Sequence, residues 1–205
     1  MPADRAVAIL GLQERLARAF RTEAAYGMFS LYFARGLLWR RASEEPMTQI
    51  AWPSDHSVPS WSWVSKLGPI SYLPLEFEKV AWAVGHVFDN PLKSLGKLYG
   101  DGGSPRAKAK SEKEAVLHCY VKRLLTLTEA QERIKFDIEG TYDFEKLHCM
   151  EVGRDKPGAF NDEPNLYVLV VYPSNDRDRG AYERVGVATL KESELDSEES
   201  WVDIR

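Results

Sequence analysis

Two Leu-His-Cys segments, VLHC (116–119) and KLHC (146–149), carry the side chains best suited to bind a metal or attack a carbon centre. These are His118, Cys119, His148 and Cys149. Two imidazoles and two thiolates would make a tetrahedral zinc set. Adjacent residues on a strand point to opposite faces, however, so each His diverges from its neighbouring Cys instead of meeting it at one ion. The spacing also differs from zinc fingers, where a short loop separates paired cysteines. No metal is expected, and both cysteines read as partly buried free thiols.

Other chemistry finds equally little support. In SDHS (54–57), Asp55 and His56 lie between two serines, yet a catalytic triad is assembled from separated segments. No Gly-x-Ser-x-Gly elbow exists, so His56 reads as a loop histidine. Asp137, Glu139, Asp143 and Glu145 offer carboxylates for acid/base work. They sit in charged stretches that read as solvated, where nothing raises a pKa. GDGGS (100–104) neither closely follows a strand-like run nor leads into Lys-Ser/Thr and a helix, so it is a turn and not a phosphate cradle. The expectation is a chain without catalytic residues or cofactor.

Composition narrows the partners. The chain has 205 residues, 44% of them hydrophobic, enough for a core without disulfides or metals. A formal net charge of −4 gives no reason to expect nucleic acid or an anionic membrane. The six basic residues from Lys93 to Lys113 read as a solvated loop, since no set of aromatics accompanies them. Only two cysteines occur, which fits a reducing compartment. No run reaches the roughly 20 apolar residues of a spanning helix. The start, MPADRAVAIL, meets charge too early for a signal peptide. A cytoplasmic location is expected.

The elements that would hold these residues change character along the chain. In residues 4–20, Ile9, Leu12, Leu16 and Phe20 fall on one helical stripe. Thr22 can cap a second helix in which Ala25, Met28, Phe29, Tyr32 and Phe33 keep the same period, with Gly36 as its stop. Further on, the period becomes two. KVAWAVGHVF (79–88) predicts a strand buried on both sides, and RIKFDIE (133–139) one with Ile134, Phe136 and Ile138 inward and Asp137 on a wet face. NLYVLVVYP (165–173) predicts a central strand, with ERVGVATL (183–190) and SWVDIR (200–205) as two more. The prediction is an α+β fold. An N-terminal helical pair (1–41) packs on a mainly β region (42–205), a mostly antiparallel sandwich or barrel-like sheet. A flexible Lys/Gly-rich loop spans 93–115, Gly180 bends the loop at 173–183, and the whole forms one structural unit.

The stretch VPSWSWVSKLGPISY (58–72) stands out. In an extended segment Trp61 and Trp63 share a face, while Ser60, Ser62 and Ser65 take the other. Same-face indoles usually pack a core; the alternative is a stacking platform for a sugar or a peptide.

This stretch also carries a resemblance. Pro59-Ser60-Trp61-Ser62-Trp63-x-Ser65, followed by Gly68-Pro69-Ile70-x-Tyr72, resembles a hallmark of fungal heterokaryon-incompatibility (HET-domain) proteins, found there downstream of the HET domain. DRAVAILGLQERL (4–16) and YGMFSLYFARGLLWRR (26–41), with Leu37, Leu38 and Trp39, are similar to helices of that family. YERVGVATL and the closing WVDIR are similar to its last strands. Gly27-Met28-Phe29 departs from the family's Gly-Leu-Trp, and the N-terminal HET signatures are absent. The resemblance implies a C-terminal, non-catalytic portion of a protein of fungal non-self recognition and cell death, either a fragment or a truncated product. Its expected partner is a HET domain or another fungal protein, and the motif residues are expected to be structural.

Overall fold

The computed structural model describes residues 2–52, 58–83, 85–93, 115–125, 128–158, 163–174 and 180–205; side chains of 2–8, 10 and 128 are not included. The loop expected at 93–115 therefore lies almost wholly outside the described residues, as do SDHS (54–57) and GDGGS (100–104).

The chain opens with helix α1, Pro2–Phe20. The expected second helix is much shorter than its periodicity promised. Residues 24–29 form a hairpin instead, β1 (Ala24–Ala25) with β2 (Met28–Phe29), followed by a 3-10 turn (Ser30–Tyr32) and α2 (Phe33–Leu37). The reason lies at Tyr26-Gly27, whose φ angles of 53° and 72° are those of a tight hairpin turn and exclude a helix. An added Cβ on Gly27 would sit 2.7 Å from the Trp63 ring, so contact with that indole also demands glycine.

Short pairings follow. β3 (Trp39–Arg41) pairs with β6 (Ile70–Tyr72), and β4 (Thr48–Gln49) with β5 (Lys66–Leu67). β7 (Val80–Trp82) is far shorter than the run 79–88 predicted. The chain turns at Gly85 (φ 78°) and rejoins the sheet only as a bridge from Phe88 to Cys119, leaving His86 exposed.

The larger sheet has seven strands and is mostly antiparallel. Besides β7 it holds β8 (Leu117–Leu124), β9 (Lys135–Phe136), β10 (His148–Asp155), β11 (Leu166–Pro173), β12 (Ala181–Leu190) and β13 (Leu195–Ile204). Five of these close into a ring of pairings: β11–β10–β8–β13–β12, with β12 pairing back to β11. The β12–β13 link is the parallel one, two residues long. A helix of five residues, α3 (Thr128–Glu132), precedes β9.

β11 is the central strand its composition predicted. Leu166, Val168 and Val170 enter one apolar cluster, with Cys149, Leu190 and Ile134, while Tyr167, Leu169 and Val171 enter a second. The second cluster also takes Phe33 and Leu37 of α2 and Trp61, so α2 is joined to the sheet by apolar burial. Gly180, with φ 104°, sits at the turn into β12.

Candidate functional site

The densest polar constellation in the interior is built around Arg184 on β12. Its side chain is 0% exposed and faces Asp137, itself 1% exposed. Nε donates to Asp137 Oδ2 at 2.8 Å and Nη2 to Oδ1 at 3.1 Å, a two-pronged pair. Nη1 donates to the Leu37 carbonyl at 2.6 Å, and Nη2 also reaches the Trp39 carbonyl. The guanidinium carbon lies over the Trp39 indole, 3.4 Å from the ring centroid.

Asp137 corrects the expectation of four solvated carboxylates. β9 ends at Phe136, and the backbone then bends, so the alternation that would have turned Asp137 outward is broken. Its backbone N–H donates to Val185 at 2.9 Å and its carbonyl accepts from Met47 at 3.0 Å, fixing it beside β12. Close approach here needs Gly186, since an added Cβ would lie 2.5 Å from the Lys135 carbonyl oxygen. Glu139 is exposed, as expected, and Asp143 caps a 3-10 turn (Phe144–Lys146).

The tryptophan motif wraps the same centre. Trp61 is fully buried, and its edge meets Phe33 and Tyr26, at 5.5 and 5.9 Å between centroids. Its Nε1 donates to the Ala115 carbonyl at 3.3 Å, and its own carbonyl accepts from Trp39 Nε1 at 2.9 Å. The segment is not extended: residues Trp63–Ser65 form a 3-10 turn capped by Ser62, whose hydroxyl accepts from the Val64 N–H. Trp63 is half-buried against the same apolar cluster as Trp61, with Nε1 donating to the Gly27 carbonyl at 3.0 Å.

The serines face inward too. Ser62 Oγ donates to Tyr26 at 2.6 Å and Ser65 Oγ to the Ser62 carbonyl at 2.7 Å. Ser60 Oγ accepts from the Arg184 backbone N–H at 3.0 Å and donates to the Arg205 carbonyl. Pro59 is buried, and its carbonyl accepts from Ser62 N at 3.0 Å. Gly68 carries a φ of 148°, Pro69 accepts from Ala42 N at 3.0 Å, and Tyr72 pairs with Trp39 across β3–β6. Leu37, Leu38 and Trp39 are at most 1% exposed.

Electrostatically the site is a dry ion pair. Burial pushes the Arg184 guanidinium below its usual pKa while the Asp137 charge pushes it back up. Lys66, 4% exposed, is lowered by the same burial. Every guanidinium contact above goes to protein. Its work is to hold α2, β3, the tryptophan motif, β9 and β12 together.

The His/Cys candidates do not converge. His118 is exposed, with Nδ1 2.7 Å from Asp203, whereas Cys119 is 0% exposed on the other face of β8. His148 Nδ1 lies 3.0 Å from the Lys146 carbonyl. The thiols are wholly, not partly, buried; burial lifts the Cys119 pKa to about 12 and Cys149 further still. Among the described residues no three His, Cys, Asp or Glu side chains form a metal-ligand group, and no helix is long and apolar enough to cross a membrane.

Arg184–Asp137 is what sequence reasoning missed. The available signal was a lone arginine in the apolar run ERVGVATL and a lone aspartate between Phe136 and Ile138. No family model, curated protein or solved structure matches this chain.

Proposed function

We propose that this chain is a non-catalytic accessory or regulatory domain of a heterokaryon-incompatibility-like protein, acting in the cytoplasm through contact with a HET domain or another fungal protein. The observation that supports this reading is spatial. The three stretches that carry the resemblance, LLW (37–39), PSWSWVS (59–65) and YERVG (182–186), meet around one buried guanidinium. Residues that recur together for packing do this; residues that recur for chemistry would converge on solvent. The alternative, a ligand platform on Trp61 and Trp63, loses its main surface because Trp61 exposes nothing.

The test is a binding titration between the purified chain and separately expressed HET domains, followed by calorimetry. Saturable binding that survives physiological salt supports the proposal. Absence of binding to every HET domain and every other fungal protein tried, or turnover of a screened ester or glycoside, overturns it.

A further inference from the structure

β8 and β13 pair antiparallel with Lys122 opposite Glu199, Tyr120 opposite Trp201 and His118 opposite Asp203. Alternation puts these six side chains on one face of the sheet, opposite to the buried Leu117, Cys119, Val121 and Val202. Tyr120 and Trp201 remain 41% and 49% exposed there. Their ring centroids are 4.6 Å apart and their planes are inclined at 66°. A cross-strand aromatic pair steadies two strands through ring contact, a role that leaves the polar tips unused. Trp39, Trp61, Trp63 and Trp82 all give their indole N–H to a backbone carbonyl. Among the described residues, neither Trp201 Nε1 nor the Tyr120 hydroxyl has a hydrogen-bond partner in the protein.

Charged pairs bound the two rings at both ends, two residues or about 7 Å along the strands. At one end His118 Nδ1 lies 2.7 Å from Asp203 Oδ1. At the other, Lys122 Nζ lies 3.3 Å from Glu192 and 3.7 Å from Glu199. These carboxylates are engaged within the chain. Asp89, exposed beyond His118 and donating its backbone N–H to the His118 carbonyl, is the neighbouring carboxylate without an ion pair.

This combination selects among ligand classes. An apolar spot so short along the strands does not seat an amphipathic helix about 10–12 Å across. Lys122 already holds two carboxylates, so no free cation waits for a phosphate. Inclined rings deny a sugar the coplanar surface it would stack on, and a sugar brings as many donors as acceptors. The two open tips here both offer a proton. A polyproline II segment matches them: its rings are apolar, it lacks N–H groups at proline, and its carbonyls are not used within the helix. One turn of it, three residues and about 9 Å, spans the side chains of two strands about 4.8 Å apart.

We infer that the Tyr120–Trp201 face of β8 and β13 is a docking site for a proline-rich extended segment of a partner protein. Proline rings lie against the two aromatic side chains, and the segment's carbonyls accept from Trp201 Nε1–H and the Tyr120 O–H. This rests on the reading that the chain is an interaction module, and it adds where the contact lies and what chemistry the partner presents.

The probe is a labelled decaproline with capped ends, titrated into the full chain by fluorescence anisotropy, with a capped Gly/Ser decamer as control. The expected result is saturable binding of decaproline alone. Trp201→Ala should weaken it about tenfold or more, and Trp201→Phe, which keeps a ring but loses the N–H, by less. Phe77→Ser, at an exposed ring elsewhere, should leave it unchanged. Trp201 is exposed, so unchanged thermal melts verify the fold, and Tyr120→Ser gives an independent second reading. Added salt should have little effect, since the probe carries no charge. No saturation, equal binding of the Gly/Ser decamer, full binding by Trp201→Ala, or displacement by a soluble glucan hexasaccharide overturns the inference. So does self-association that buries Trp201, seen by sedimentation, since the occupant would then be a second copy. A HET domain that binds while decaproline does not would overturn this inference alone; the reverse outcome would overturn only the proposed partner.

Discussion

Replacing Arg184 with Met tests the buried centre most severely. The substitution keeps an unbranched side chain but ends it at the position of Nε, removing all five N–H donors. Asp137 would be left charged at 1% exposure without its partner, and the Leu37 and Trp39 carbonyls would each lose a donor. Removing one member of a buried pair costs about 3–5 kcal/mol. Each orphaned carbonyl adds on the order of 1 kcal/mol, less whatever water recovers. Against a typical domain stability of about 5–15 kcal/mol, Arg184→Met should lower the urea midpoint sharply or prevent folding at 37 °C. Arg184→Met/Asp137→Leu removes the stranded charge, so it should recover roughly 2 kcal/mol relative to Arg184→Met alone. Circular dichroism and tryptophan fluorescence during urea unfolding supply both numbers. A loss under about 1 kcal/mol for Arg184→Met, or strict additivity in the double variant, would refute the reasoning.

Four further outcomes follow from the same contacts. Trp61→Ala empties a fully buried site and should cost about 3–5 kcal/mol by urea unfolding, whereas Trp201→Ala, at 49% exposure, should cost far less. Gly27→Ala forces a side chain into φ 72° and onto the Trp63 ring, so a loss of at least about 1–2 kcal/mol is expected. Cys119, with its pKa raised from 9 to about 12, should hold roughly a thousandth of a free thiol's thiolate at pH 8. Thiol reagents should therefore react only as the chain opens, and rapid labelling of the native protein would contradict its burial. His148 is kept below its usual pKa mainly by burial, so the unfolded chain takes up its proton first on acidification. Stability from this residue is full above about pH 6.5 and is lost as pH falls towards the lower folded value. His148→Gln should flatten that slope in a pH series of melts.

Where periodicity and burial coincide, the sequence was a good guide. The unbroken apolar run of β11 is buried on both sides, and on β8 the neighbouring His118 and Cys119 diverge as strand geometry requires. It misled wherever the backbone leaves its regular period. The 3.6-residue spacing of Ala25, Met28, Phe29 and Tyr32 concealed a hairpin because two residues with positive φ decide the conformation there. Trp61 and Trp63 were assigned to an extended segment, but the cap at Ser62 starts a 3-10 turn there. Asp137 escaped notice because a two-residue strand cannot sustain the alternation that would have placed it outside. Long-range partners are the general difficulty: Arg184 meets Leu37, Ser60 and Asp137 across 147, 124 and 47 residues of chain.

The account stands most directly on the state of the Arg184 guanidinium, which NMR of arginine side-chain Nε–H groups reads without perturbing the fold. The Arg184 Nε–H resonance, identified by its loss in Arg184→Lys, should persist in slow exchange with solvent under conditions where those of exposed arginines have vanished. A spectrum in which every arginine Nε–H exchanges freely would show that the pair is wet and that the motifs do not close around it.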